Sequence, residues 1–257
     1  MAAARGRFDA RTLIHVAVLC GGVAALSWEV IWQEELALAV GVSAEATALT
    51  LVCMMGGMTL GAWLMGRLLD RRAPLRPLRW YGLLELSVGV SGLLFKPALG
   101  LVAHADSALA PDASGGALHL TLLALVLGVP TMATGASVPL LGLVARQYDT
   151  KLAHLYGFNT LGAAIGTLGL ALVVMPLLGT SWSIVVVAAI DVAIFVAAWR
   201  LRPPTEVVRP ADAEEAERKP TIALALAGLF VLVTGYAPSA LEVAWFLALR
   251  GAFLSKK

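Results

Sequence analysis

The chain has 257 residues, 59% apolar and 14% charged, with a formal net charge of +2 and a mean hydropathy of +0.83. Soluble domains average about 45–50% apolar and about 25% charged. A water-soluble enzyme, a disordered chain and a disulfide scaffold are therefore excluded, and so small a net charge gives no basis for binding nucleic acid. At roughly 20 apolar residues per crossing, the length accommodates six or seven helices of an all-α, polytopic transmembrane bundle.

In chain order, residues 1–12 form a cytoplasmic N-terminus carrying Arg5, Arg7 and Arg11. The first apolar run, 13–40, has the outline of a signal peptide. Leu19, before Cys20, is not the small residue a lipoprotein site needs, and the run reads as a retained first span. Runs at 44–69, 78–103, 117–145, 152–178 and 182–201 complete a six-helix unit, 13–201. Residues 202–219, RPPTEVVRPADAEEAERK, are rich in Pro and charge and read as a solvated cytoplasmic linker. A seventh span follows within 220–257. The run interiors mix Leu, Val and Ala with Gly and lack the alternation of barrel strands.

Orientation comes from Lys and Arg. Arg67, Arg71, Arg72, Arg76 and Arg79 lie between spans two and three, Arg146 and Lys151 between four and five, and Arg200, Arg202, Arg209, Arg218 and Lys219 after span six. Lys96 stands alone on the opposite side over the first six spans, whereas Arg250, Lys256 and Lys257 after span seven would lie there against the rule. The N-terminus is thus expected in the cytoplasm. High Ala, Leu and Arg usage suggests a bacterial inner membrane.

Ionisable residues inside a membrane are costly and mark candidate sites. Glu29, Glu85, Asp191 and Glu242 fall within spans, with Asp191 near the middle of its run. A cation-attracting or proton-coupled cavity is one reading. Hydrogen bonding between helices is the other. Asn159, beside the strip Gly162-x-x-x-Gly166, either bonds across a helix contact or lines the cavity. Gly57-x-x-x-Gly61 reads as packing. Trp28 and the other tryptophans fall by default into an interfacial aromatic belt, although Trp32 and Trp245, one turn from a glutamate, could cap a cation. No His or Cys spacing suggests a metal site, no cofactor is expected, and no catalytic residue is assigned. Ser137 has no paired histidine, and Pro139 predicts a helix break beside it.

Span one contains Gly22-x-Ala24-x-x-x-x-Glu29-Val30-x-Trp32, and span seven repeats the pattern as Gly235-x-Ala237-x-x-x-x-Glu242-Val243-x-Trp245. Span seven thus reads as the first helix of a second copy. Six helices, a cytoplasmic linker and a second set of six is the parallel-repeat plan of major facilitator transporters. Gly66-Arg-Leu-Leu-Asp70-Arg71-Arg72 is similar to the cytoplasmic loop signature of those proteins, in which the Asp beside basic residues latches helix ends.

Further segments carry a second resemblance. These are Glu29-Val-Ile-Trp32, Gly61-x-x-x-x-Gly66-x-x-x-Asp70-Arg71, Tyr81-Gly-Leu-Leu-Glu85-Leu, Gly135-Ala-Ser-Val-Pro139, Leu155-Tyr156-Gly-Phe-Asn159-Thr160-Leu161-Gly162-Ala163 and Pro176-Leu-Leu-Gly179. Their order resembles the membrane-embedded, spermidine synthase-like family, in which major facilitator-like helices are fused to an aminopropyltransferase-like domain. The Gly-rich donor loop and any βαβ stretch of that domain are missing, so aminopropyl transfer is not assigned to these residues. The resemblance implies a transporter-like module for a small cationic or amine solute such as a polyamine. Its substrate path would run along Glu29, Trp32, Glu85, Asn159, Asp191 and Glu242, with Gly66, Asp70, Arg71 and Arg72 as cytoplasmic latch. A homodimer or a second-half partner chain would complete it. The alternatives are a non-transporting membrane anchor for a separate, soluble aminopropyltransferase-like enzyme, or a piece of a longer fused protein.

Overall fold

The computed structural model describes residues 2–40, 44–72, 74–109 and 117–201. The linker, the expected seventh span and Glu242 lie outside them. Among the described residues every element is helical: α1 (Ala2–Val40), α2 (Ala44–Arg71), α3 (Pro77–Leu109), α4 (Ala117–Gln147), α5 (Leu152–Gly169) and α6 (Met175–Arg200), with a π-helical turn at Leu170–Val174 joining the last two. Five helical stretches are long and apolar enough to cross a bilayer: Ala10–Ala39, Thr50–Arg71, Pro77–Ala105, Thr121–Gln147 and Leu152–Arg200. The fifth, of 49 residues, contains both runs expected as spans five and six.

That last stretch is interrupted for local reasons. Pro176 lacks an N–H for the carbonyl four residues back and crowds the preceding turn; a wide turn at Leu170–Val174 accommodates it. Gly179 then leaves helical geometry at φ 73, ψ 168, a backbone region that disfavours a side chain. Both limbs pack on α1. Pro139 behaves otherwise. The break expected there does not occur, and α4 continues through Pro130 and Pro139. Thr134 Oγ1 donates to the Pro130 carbonyl at 3.0 Å and Ser137 Oγ to the Thr134 carbonyl at 2.7 Å, while the neighbouring α2 and α3 hold the helix in place.

Helix α1 packs on α5 and α6, α2 on α4, and α3 on α4 and α6. Two of these contacts are close enough to require glycine. A Cβ on Gly162 would strike the Leu19 carbonyl, and one on Gly166 the Val23 carbonyl. Likewise a Cβ on Gly61 would strike the Met132 carbonyl, and one on Gly135 the Met58 carbonyl. Both Gly-x-x-x-Gly strips therefore pack, as their spacing suggests. The interior holds two main apolar clusters, one around Trp28, Trp32, Phe95 and Leu127, the other around Val18, Tyr81, Val144 and Leu155. No more than half of any membrane-length stretch is buried, and large side chains such as Leu101, Leu172 and Leu177 are at least 70% exposed. So continuous an apolar exterior is compatible with lipid and not with water.

The basic residues gather at one end. Arg11 Nε donates to the Tyr148 carbonyl at 3.1 Å, and its guanidinium pairs with Asp149 in the α4–α5 turn. Asp149 takes a positive φ of 51. Arg79 donates to the Trp199 carbonyl at 3.3 Å and lies over the Trp199 ring. Gln147 Nε2 reaches the Leu75 carbonyl at 3.2 Å. Burial pushes the Tyr148 hydroxyl above its ordinary range, with Arg79 opposing.

Replacing Gly162 by Leu is expected to cost about 1–3 kcal/mol or more, because a backbone carbonyl cannot move aside as a side chain can. Gly157→Leu on the open face of α5, where a Cβ meets nothing, should stay within about 0.5 kcal/mol. Thermal unfolding of the two variants in detergent checks this; equal melting shifts would show that the α1–α5 approach is not constraining.

Candidate functional site

On α3, Tyr81, Glu85 and Gly89 recur every four residues and so share one face. That face is turned inward, with Tyr81 1% and Glu85 8% exposed. The Tyr81 hydroxyl donates to the Glu85 carboxylate. Both groups lie against Gly21 of α1, where a Cβ would displace the Tyr81 oxygen. One turn further along α3, Gly89 leaves the room into which α6 inserts Asp191: a Cβ there would come within 2.9 Å of the Asp191 Cβ and Oδ2. Gly92 similarly admits the ring of Trp28 from α1.

Three helices thus converge on two carboxylates. The Trp28 Nε1–H donates to Asp191 Oδ2 at 2.7 Å, and both residues are fully buried. Asp191 Oδ1 is also buried and has no hydrogen-bond partner among the described residues. Glu85 lies within electrostatic reach of Asp191. No Lys or Arg among the described residues forms an ion pair with either acid. A carboxylate in a low-dielectric interior needs a counter-charge or a proton, and the protein side chains here supply only neutral donors.

From this pair an aromatic wall leads away from the basic end. Trp28 stacks on Trp32 at 5.9 Å between centroids, and Trp32 lies 6.2 Å from the Phe95 ring. Trp32 is 2% exposed and its Nε1 has no acceptor among the described residues. Beyond it, Glu35 of α1 is buried and pairs with Lys96 of α3 at 3.0 Å, and Lys96 Nζ also donates to Ser181 Oγ at 3.2 Å. From Tyr81 to Lys96 the polar groups extend over about 22 Å of helix α3 at 1.5 Å per residue, most of the roughly 30 Å hydrocarbon thickness.

Of the residues singled out from the sequence, Glu85 and Asp191 lie within electrostatic reach of each other, and Trp32 lines the adjoining wall. Glu29 is half-buried, about 100° around α1 from Trp28. Asn159 is half-buried at the α1–α5 contact, where its backbone carbonyl faces Gly22. Gly66 is half-buried, and Asp70, Arg71 and Arg72 are exposed at the end of α2. The aromatic-belt reading is corrected for Trp28 and Trp32. Both are interior, because Gly92 opens a slot for one ring and the other stacks on it, whereas Trp63, Trp80, Trp182 and Trp199 are 44–64% exposed. Tyr81 and the Glu35–Lys96 pair were not anticipated as site groups. The four-residue spacing of Tyr81 and Glu85 was the available signal. Lys96 lies within α3, and α1 extends beyond its apolar run at the N-terminal end. Among the described residues no cluster of His, Cys, Asp or Glu could hold a metal ion. No protein-family model, curated protein or solved structure matches this chain.

Trp28→Phe removes the one donor to Asp191 among the described residues and is expected to destabilise by about 1–3 kcal/mol, the cost of an unpartnered buried acceptor; an average hydrogen bond between membrane helices is worth only about 0.6 kcal/mol. The double variant Trp28→Phe/Asp191→Leu should recover much of that loss. Unfolding measurements in detergent that put the double variant at or below the single would refute the assignment.

Proposed function

We propose that the chain is a transporter-type membrane module that handles a small cation or protonated amine at Glu85 and Asp191. The observation that carries this reading is the convergence of two carboxylates from separate helices, with one Asp191 oxygen unpartnered and no basic side chain paired with either among the described residues. A cation would supply the missing charge. Trp28 and Trp32 present aromatic surface beside it, which favours amines. The resemblance to the spermidine synthase-like membrane family points toward a polyamine.

The helix pairing supports a major facilitator-like half. On this reading the stretch Leu152–Arg200 makes two crossings, separated at Gly179. Exchanging α1 with α4, α2 with α5 and α3 with α6 then turns the α1–α5 contact into α4–α2 and the α1–α6 contact into α4–α3, while α3–α6 maps onto itself. That is the pattern of two inverted three-helix repeats. The Gly-x-x-x-Gly strips of α2 and α5 are equivalent under this exchange. With the basic end in the cytoplasm, Asp70, Arg71 and Arg72 form the latch at the end of α2. A second copy or a partner chain encloses the other side of the path.

Uptake of labelled polyamine into proteoliposomes tests the reading. The parent protein should exceed empty vesicles, and Asp191→Asn and Glu85→Gln should each lose about tenfold or more, consistent with removal of a charge-assisted contact. No flux above empty vesicles, or full flux in both variants, would overturn it. The exposed Arg71, Arg72 and Arg76 favour a second reading, an anchor for a soluble aminopropyltransferase-like enzyme. That reading predicts no flux and co-purification of such an enzyme, lost on replacing the three arginines by Gln.

A further inference from the structure

On the outer surface, away from the carboxylate pair, α6 and Leu13 of α1 border an open groove of about 540 Å³. Its wall on α6 is Ala189, Val192, Ala193, Val196 and Ala197, and Leu13 of α1 faces them. The depression ends at Arg200, in the last turn of α6. The wall is apolar throughout, and the guanidinium at its mouth is exposed and forms no ion pair among the described residues.

Its dimensions restrict what can fill it. From Ala189 to Arg200 the helix rises about 16 Å at 1.5 Å per residue, and half of the roughly 30 Å hydrocarbon core is about 15 Å. The groove is therefore one leaflet deep. It opens at the end of the bundle where Arg11, Arg79 and Arg200 collect, so its charged mouth lies at headgroup level while its walls lie at acyl-chain depth. A transmembrane helix would need a contact twice as long. A soluble anion would leave the apolar walls uncovered.

We propose that this groove is a binding site for one anionic phospholipid of the leaflet at the basic end, its acyl chain lying along Ala189–Ala197 and its phosphate paired with Arg200. The site is independent of the carboxylate pair, which faces the opposite side of α6 through Asp191. It binds the annular lipid by charge at one end and by shape along its length, and so distinguishes headgroups that the rest of the apolar surface cannot.

The test uses the full chain in bilayer discs of equal parts phosphatidylglycerol and phosphatidylcholine, with a photoreactive phenylalanine at Val196. Irradiation should attach lipid at that position, with phosphatidylglycerol in excess. Arg200→Gln in the same background should reduce that excess about fivefold, the weight of one basic residue at an anionic surface, while total lipid attachment persists. Attachment instead to residues 221–253 of the same chain, or to a second copy, would overturn the proposal. So would equal attachment of the two lipids in the parent, or an excess unaffected by Arg200→Gln. Because these readouts need no solute flux, they remain informative if the transport reading fails.

Discussion

Direct backbone approach between helices is the constraint on which the rest of the molecule depends. Lipid tails offer no less favourable an environment to Leu than another helix does, so association rests on close packing and on hydrogen bonds. Glycines at 162 and 166 seat α5 against α1, and those at 61 and 135 seat α2 against α4. With these two pairs fixed, α3 and α6 fill the remaining positions, each bridging to the other and to one of the pairs. The same device then recurs within the interior. Gly89 and Gly92 provide the space that Asp191 and Trp28 occupy, and packing and polar chemistry are thereby specified by one set of small residues.

The polar interior has an unusual balance. Each acid has a neutral donor, Tyr81 for Glu85 and Trp28 for Asp191, while the one ion pair of this track, Glu35 with Lys96, lies farther from the basic end. Had Lys96 been two turns earlier on α3, it would have stood beside the two acids as a counter-charge. Neutral donors hold the two carboxyl groups in place and supply no counter-charge. Among the described residues Asp191 is held through one oxygen alone, because Trp28 reaches only one of the two.

Much of the helical architecture was legible in the sequence. Apolar runs separated by basic turns mark membrane-length helices, and the two Gly-x-x-x-Gly strips announce their own packing. The carboxylates drew notice because charge in an apolar run is rare. Their meeting was not legible. Glu85 and Asp191 are separated by two intervening runs, and their proximity depends on which glycine on α3 faces α6. Trp28 was misread because tryptophan in a membrane chain is interfacial by default, although it lies mid-run, and the missing side chain of Gly92 makes an interior place for it. Pro139 misled in the opposite sense: its local preference for a break yields to neighbours that hold α4 in line. The interruption at Gly179 depends on a positive φ that a Pro-Leu-Leu-Gly run permits without requiring.

The ties at the two ends of the bundle differ in kind. At the basic end, Arg11 reaches an Asp149 carboxylate whose side chain is 84% exposed. At the other end, Lys96 reaches a Glu35 that is 9% exposed and joins α1, α3 and α6 at one point. Salt screens exposed charges strongly and buried ones weakly. Ionic strength is therefore a one-sided solvent variable for this protein: raising it slackens the end that carries the arginines and leaves the Lys96 junction as the pivot, a contrast that amide exchange at the two ends in low and high salt would register.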